Sequence, residues 1–174
     1  MKKTRKLTFC AMMAALSAVF MLASYFPYLT YGIPAISGLF IMITVIEFGV
    51  KWGIISYIAS AVPVFFIAET ESKLMYVFFF GFYPVIKAVL EKIGKRPLEI
   101  LLKLAVFNAS VLSVYMLFAG LFGIYLEDFG VMGKYGAYIL LLLGNFVFIL
   151  YDIAVSRMAM FYILVIKPKL KFKF

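Results

Sequence analysis

The chain has 174 residues, of which 66% are hydrophobic, and it carries a formal net charge of +9. Soluble globular chains are nearer half apolar, so a soluble domain is excluded, and the long apolar runs favour helices in lipid over a barrel. Most basic residues lie between these runs and at the two ends, which indicates orientation in a membrane rather than nucleic-acid binding.

Six apolar segments are predicted to cross the membrane as helices, within a single integral membrane domain covering residues 1–174. In chain order they cover residues 7–23, 35–49, 52–68, 74–93, 98–122 and 135–165. The second and third are short for the roughly 20 residues that a span needs. The third contains Pro63, and Pro84 interrupts the fourth. The first has a basic start like a signal peptide, but its apolar part is longer than the usual roughly 7–15 residues, so we interpret it as a span.

The distribution of Lys and Arg predicts that both termini are cytoplasmic. With the N-terminus inside, the inner segments hold Lys2, Lys3, Arg5, Lys6, Lys51, Lys92, Lys95, Arg96, Arg157, Lys167, Lys169, Lys171 and Lys173. The outer loops hold the basic residues Lys73 and Lys134 and the acidic residues Glu69, Glu71, Glu127 and Asp128. The all-α fold is therefore predicted to be polytopic, with an even number of transmembrane helices.

Charged residues also fall inside the predicted spans, where a charge is costly, and three of them suggest a pair. Lys87, Lys103 and Asp152 all lie toward the inner side of the membrane at a rise of about 1.5 Å per residue. We predict an intramembrane ion pair of Asp152 with Lys87 or Lys103. The charges either form a structural pair with lysines that snorkel to the interface, or they are a coupling element that senses a partner.

Two asparagines and several aromatic residues point to a ligand pocket open to the outside. Asn108 and Asn145 fall near the midplane, where their amides either join helices or form the floor of the pocket. The aromatic residues would form its walls, although such stripes also serve packing and interface belts. The candidate substrate-binding residues are Tyr76, Phe79, Tyr83, Asn108, Tyr115, Tyr138 and Asn145. The outer loop SYFPYLTYGIP, residues 24–34, either covers this pocket or is an ordinary connector.

The sequence offers little for catalysis. It has no His, and Cys10 is its single cysteine, which removes the commonest general base and any Cys/His zinc site. There is no Gly-rich phosphate loop followed by Lys and Ser/Thr, so ATP hydrolysis by this chain is not expected. We predict a protein that is not an enzyme and that has no metal and no cofactor.

Four alanines crowd the first predicted span, where bulkier residues are expected. Ala11 and Ala15 are four residues apart, as are Ala14 and Ala18, and residues at this spacing share a helix face. Helices in lipid associate where small residues let their backbones come close. The alanines therefore form a flat strip, covered either by a helix of the same chain or by a second protein.

The chain resembles the substrate-binding S component of energy-coupling factor (ECF) vitamin transporters in four features. They are the basic KKTRKLT start, the Ala-xxx-Ala helix, the late stretch GNFVFILYDIAVSRM and the six-span layout. The resemblance implies that Ala11, Ala14, Ala15 and Ala18 dock on a transmembrane coupling subunit, which two cytoplasmic ATPase subunits drive. It implies a small-molecule substrate, a vitamin or similar micronutrient, bound in the outer half under the first loop.

By the same resemblance, the chain is a multi-pass protein of a bacterial cell membrane, with the lipid bilayer as its surroundings and no nucleic-acid partner. The alternative is a membrane scaffold resembling the small polytopic proteins of the bacterial cell-shape complex. Such a scaffold needs partner surfaces but no ligand pocket. An intramembrane enzyme is disfavoured because the sequence lacks His and clustered carboxylates.

Overall fold

The computed structural model of the chain describes residues 3–26, 28–122 and 131–169, with side chains omitted for residues 118–122, 131–135, 137 and 140. Within these ranges every regular element is helical, which confirms the all-α class for the described part of the chain. The helices are α1 (Lys3–Met21), α2 (Gly32–Phe48), α3 (Val50–Ile67), α4 (Thr70–Met75), α5 (Tyr83–Leu90), α6 (Arg96–Phe122), α7 (Val131–Phe161) and α8 (Lys167–Lys169).

Five helical segments of the described residues are long and apolar enough to cross a membrane. They are Lys3–Tyr25, Val50–Ile67, Thr70–Ile93, Arg96–Leu117 and Leu141–Lys169. Helix α2 is apolar but has 17 residues, and it corresponds to the short second segment expected from the sequence. The chain is therefore a multi-pass membrane protein by the length and composition of its helices.

The two prolines of the predicted third and fourth spans have different consequences. Pro63 lies inside α3 without ending it. The fourth span is broken: α4 continues as a π-helical turn at Tyr76–Phe80, and α5 begins only after Gly81 and Phe82. Pro84 lies in the first turn of α5, where its missing N–H removes no helical hydrogen bond.

The described helices divide into two compact units. The first unit comprises Met1–Ile93 with Val155–Phe174, and the second comprises Gly94–Ala154. In the first unit, α2 packs against α1, α3 and α5. One close helix contact is at a glycine: a Cβ added at Gly53 of α3 would lie 2.3 Å from the Val45 Cγ2 atom of α2. Close backbone approach thus stabilises this bundle.

The second unit contains α6 and the part of α7 that ends at Ala154. Phe107 of α6 and Phe148 of α7 stack with ring centroids 4.9 Å apart and an interplanar angle of 12°. Gly144, one turn before Phe148, leaves room for the Phe107 ring, since an added Cβ would lie 3.4 Å from its Cζ atom. These residues hold the two helices side by side.

Candidate functional site

The alanines of α1 divide into a covered pair and an uncovered pair. Ala14 and Ala18 are 4% and 7% exposed, because α1 packs with that face against α2 and α3. Ala11 and Ala15 are exposed, and so are the neighbouring Met12 and Leu16. Of the four residues predicted for a partner interface, Ala14 and Ala18 are thus used for internal packing. Ala11 and Ala15 remain candidates for contact with another protein.

Tyr76, which was predicted to line a pocket, is the centre of a buried hydroxyl network. Its hydroxyl lies 2.6 Å from Ser17 Oγ and 2.7 Å from Ser60 Oγ. Ser17 also donates to the backbone carbonyl of Ser37 at 3.0 Å, and Ser60 donates to the carbonyl of Tyr57 at 2.9 Å. The network therefore connects α1, α2, α3 and the π-helical turn of the fourth span.

This network contains fewer protons than contacts. Three hydroxyl groups carry three protons, and they make four contacts, so one contact lacks a hydrogen at any moment. Both serines have a backbone carbonyl as an acceptor that does not depend on Tyr76. Removing the Tyr76 hydroxyl therefore leaves fewer groups without a hydrogen-bond partner than removing either serine hydroxyl would.

Phe79 and Tyr83 lie with Tyr76 in the interior of the first unit. Tyr76 and Tyr83 are 0% exposed and Phe79 is 7% exposed. The rings of Phe79 and Tyr83 are 5.0 Å apart between centroids. The aromatic spacing that predicted pocket walls here produces close side-chain packing.

A second tyrosine supports the break in the fourth span. Tyr57 of α3 donates its hydroxyl proton to the carbonyl of Val77, within the π-helical turn, at 2.6 Å. Its ring lies against Gly81, where an added Cβ would be 2.9 Å from the Tyr57 Cε2 atom. Only a residue without a side chain allows this approach, so Gly81 and Tyr57 together stabilise the irregular backbone.

Asn108 and Asn145 bind each other across α6 and α7. Each amide nitrogen donates to the oxygen of the other side chain at 3.1 Å. Each nitrogen also donates to a carbonyl one turn earlier, of Leu104 at 2.9 Å and of Leu141 at 2.7 Å. Both donors of each amide are thus satisfied within the second unit, which corresponds to the interhelical role considered from the sequence.

The remaining predicted pocket residues lie in the second unit too. Tyr115 of α6 is partly buried, and Tyr138 of α7 is 75% exposed. The seven predicted substrate-binding residues therefore belong to two sets. Three of them lie together in the first unit, and Asn108, Tyr115, Tyr138 and Asn145 lie in the second.

The structure places Asp152 against Lys103. Lys103 Nζ lies 3.1 Å from Asp152 Oδ2 and 2.6 Å from Glu99 Oε1, and the lysine side chain is 4% exposed. Lys87 Nζ lies 2.6 Å from Glu91 Oε1. Glu99 and Glu91 were not predicted as part of the charged site. Their spacing was a usable signal, because residues four apart on a helix are neighbours.

A buried carboxylate that the sequence did not reveal lies at the end of α2. The Glu47 side chain is 2% exposed, and its Oε1 atom accepts from Lys167 Nζ at 3.1 Å and from the Tyr162 hydroxyl at 3.2 Å. A carboxylate at a helix C-terminus is unfavourable for that helix. The position of the Glu47 side chain is therefore determined by Lys167 and Tyr162. Tyr162 is 115 residues away in the chain, and no local pattern predicts such a contact.

The loop between α1 and α2 is hydrogen-bonded to the junction of α3 and α4. The Tyr25 hydroxyl donates to the Ile67 carbonyl at 3.1 Å, and Ser72 Oγ donates to the Thr30 carbonyl at 2.8 Å. Tyr31 donates to Glu71 Oε2 at 2.9 Å, and this hydrogen bond raises the pKa of Tyr31. The loop is therefore anchored on its own unit by three hydrogen bonds along its length.

Glu69 caps the N-terminus of α4. Its carboxylate oxygens accept from the backbone N–H groups of Glu71 at 3.0 Å and Ser72 at 2.9 Å. Desolvation alone would raise the pKa of Glu69, but the hydrogen bonds from Ser72 and Glu71 outweigh it and hold the pKa below its ordinary value. Glu69 thus has a local structural role in the folded chain.

Within the described ranges, no group of three or more His, Cys, Asp or Glu residues could hold a metal ion. Comparison with known proteins finds no matching family model, no matching curated protein and no matching solved structure. The contacts above are therefore the basis on which a function can be argued.

Proposed function

We propose that this chain is the substrate-capture subunit of an ATP-driven ECF-type transporter that takes up a vitamin or similar micronutrient. It would span a bacterial cell membrane six times with both termini in the cytoplasm. The observation that carries the proposal is the uncovered Ala11–Ala15 strip on α1. The other alanine pair of the same helix is already used inside the bundle.

The strip has the geometry that a partner helix needs. Lipid chains are as apolar as leucine, so a helix gains little in lipid by exposing alanine instead of a larger residue. A facing backbone gains van der Waals contact and close approach from alanine. The uncovered pair therefore supports docking of the coupling subunit along α1.

The six-span topology is supported by the lengths of the helices and by charge. Helix α2 has 17 residues and adds a sixth apolar segment to the five longer ones. Lys3 and Arg5 begin α1, Lys51 lies in the first turn of α3, and Lys92 follows α5. All of these positions face the cytoplasm when the N-terminus is inside.

The proposed activity is binding without covalent chemistry. The chain would capture its substrate outside and release it inward when the coupling subunit and its two ATPases change conformation. ATP hydrolysis would take place in the partner subunits. The chain itself needs a ligand site and a docking face.

The docking face is tested by replacing Ala11 and Ala15 together with Leu. The matched control replaces Ala105 and Ala109 with Leu, since these are also exposed alanines four residues apart, on α6. We expect the first variant to lose at least about tenfold in co-purification of the coupling subunit and ATPases, because the added side chains separate the two backbones. Unchanged co-purification, or equal loss in the control, would contradict the proposal.

The second candidate function is a membrane scaffold without a ligand pocket. It is favoured by the way in which Asn108 and Asn145 satisfy each other and by the burial of Tyr76 among serines. Native mass spectrometry of the gently purified protein separates the two functions. A bound small molecule favours the transporter, whereas companion proteins with no small molecule favour the scaffold.

A further inference from the structure

The two ends of the first unit differ in charge. We call one of them the basic end. There the start of α1 meets the turn between α2 and α3, as shown by the rings of Phe9 and Phe48, whose centroids lie 5.2 Å apart. The C-terminal segment joins them through Lys167 and Glu47, which are 3.1 Å apart. Helix α5 ends there as well, since its Val85 packs beside Gly53 of α3.

The carboxylates described at the basic end are already paired. Glu47 is bound by Lys167 and Tyr162, and Glu91 is bound by Lys87. Further described cations of this end lie on α1, at the start of α3, after α5 and on α8, and they include Lys3, Arg5, Lys6, Lys51, Lys92 and Lys169. All are exposed except Lys6, which is partly buried with its Nζ atom 5.9 Å from the centroid of the Phe48 ring.

The opposite end of the same unit has the reverse balance. There the described charged side chains are Glu69, Glu71 and Lys73, at the junction of α3 and α4. Lys73 lies over the ring of Phe65, with its Nζ atom 5.6 Å from the centroid. Like Lys6, Lys73 lies near an aromatic ring, but it is outside the basic end. Lys73 is therefore a suitable reference lysine.

The surface next to the basic end is apolar. Lys51 lies in the first turn of α3, and the exposed side chains that follow it include Ile54, Ile55 and Ile58, at 42%, 46% and 53% exposure. A ligand that binds here meets cations at the helix ends and aliphatic side chains along the helix. An anionic phospholipid carries both complements, a phosphate and an acyl chain, in one molecule.

We infer that the basic end is a binding surface for anionic phospholipid headgroups, with Lys51, Lys92 and Lys6 around the α2–α3 turn as its centre and the lipid chains along α3. A soluble acidic protein supplies the negative charge but no complement to the isoleucines. The inference is independent of transport, since it needs only the membrane-embedded chain itself.

The expected contribution of each cation to lipid binding follows from electrostatic attraction at a membrane surface. Each Lys or Arg near an anionic surface strengthens binding by a factor of about five. Because the surface is at the helix ends and open to solvent, added salt should weaken the binding. A preference that is insensitive to salt would indicate a buried apolar site instead and would overturn the inference.

The experiment measures the lipids that remain on the purified full chain by native mass spectrometry, from mixed micelles with equal phosphatidylglycerol and phosphatidylcholine. We expect Lys51→Gln to lower the preference for phosphatidylglycerol about fivefold and Lys51→Gln with Lys92→Gln to lower it further. Lys51→Arg should retain it. The matched control Lys73→Gln removes the same charge at the opposite end and should leave the preference unchanged.

The inference is overturned if wild type shows no preference, or if Lys73→Gln loses as much as Lys51→Gln. Melting temperatures in phosphatidylcholine alone check that each variant is folded, and Lys92→Gln by itself replaces any variant that is not. Capture of an acidic protein by the basic end, without a lipid preference, also overturns it. The alanine test of the docking face uses other residues and another readout, so either proposal can fail alone.

Discussion

The two units of this protein satisfy their buried polar groups in different ways. In the first unit, α1 and α3 meet the π-helical turn through neutral hydroxyls, in the contacts of Tyr76 with Ser17 and Ser60. Its buried Glu47 pairs with Lys167 at the end of α2. The second unit connects α6 and α7 through the Glu99–Lys103–Asp152 charges and an asparagine pair. The apolar windows of α1 and of α6 are 44% and 11% buried, respectively. A helix pair with little covered surface has few packing contacts, so strong polar bonds have a larger share in its stability.

The largest effect should follow removal of Lys103. Lys103→Met leaves the carboxylates of Glu99 and Asp152 close together without their shared cation, and we expect a loss of roughly 3 kcal/mol in the free energy of unfolding. The measurement is a denaturant titration in mixed micelles. A loss below about 1 kcal/mol would show that the charges of the second unit are no more important than single hydroxyls.

A charge swap provides the control for that pair. Asp152→Lys alone places two lysines together and should destabilise the unit, whereas Asp152→Lys combined with Lys103→Asp should restore part of the loss. Absence of rescue would argue against direct pairing of the two side chains. In the swapped variant Lys103→Asp places a second carboxylate one turn from Glu99, and this repulsion should keep the rescue incomplete.

The asparagine pair should have an intermediate effect. Asn145→Leu removes both bonds to Asn108 and leaves the Asn108 side-chain oxygen without its partner, which we expect to cost about 1 kcal/mol. The double variant Asn108→Leu with Asn145→Leu should be less destabilised than the sum of the two single variants. Strict additivity in this cycle would contradict the reciprocal bond.

The hydroxyls of the first unit should have unequal effects, and the larger of them should be about the size of the asparagine effect. Tyr76→Phe leaves Ser17 and Ser60 bound to backbone carbonyls, so we expect a cost of no more than about 0.5 kcal/mol. Tyr57→Phe removes the donor to the Val77 carbonyl in the π-helical turn and should cost about 1 kcal/mol. Equal costs would mean that the proton shortage around Tyr76 has no energetic consequence.

The smallest effect concerns the cap of α4 and depends on pH. The folded-state pKa of Glu69 is below its ordinary value of 4.5, so its stabilisation is complete above that value and is lost as the pH falls through the folded-state pKa. Protection of the Ser72 amide against hydrogen exchange, measured relative to the intrinsic rate at each pH, should fall on acidification in the wild type. Glu69→Gln should lack this pH-dependent part, and an identical acid response in both proteins would refute the assignment.

The positions of the helices were predictable because lipid leaves few choices for the backbone. Every N–H and C=O group must be satisfied within a span, so a long apolar run becomes a helix whatever its neighbours are. The predicted first and fifth segments, 7–23 and 98–122, lie within Lys3–Tyr25 and Arg96–Phe122. The predicted third segment, 52–68, ends one residue after α3. The break near Pro84 was also visible, because proline removes a helical hydrogen-bond donor, although Pro63 shows that this loss need not end a helix.

The partners of individual side chains were much less predictable. The spacing of the alanines indicated two pairs but did not show which pair the rest of the bundle would cover. Tyr76 and Asn145 were polar or aromatic residues that fitted a pocket as well as a helix contact. Their partners, Ser17, Ser60 and Asn108, come from other helices, so no local pattern distinguishes the two roles.

By itself the amino-acid sequence determined that this is an all-α membrane chain, because its apolar runs and the rules of backbone hydrogen bonding in lipid are local properties. Only the tertiary structure decided that Ala11 and Ala15 remain uncovered, that Lys103 lies between Glu99 and Asp152, and that Lys167 reaches Glu47. These outcomes depend on which helix faces meet. That choice is made by shape and polar complementarity between segments far apart in the chain.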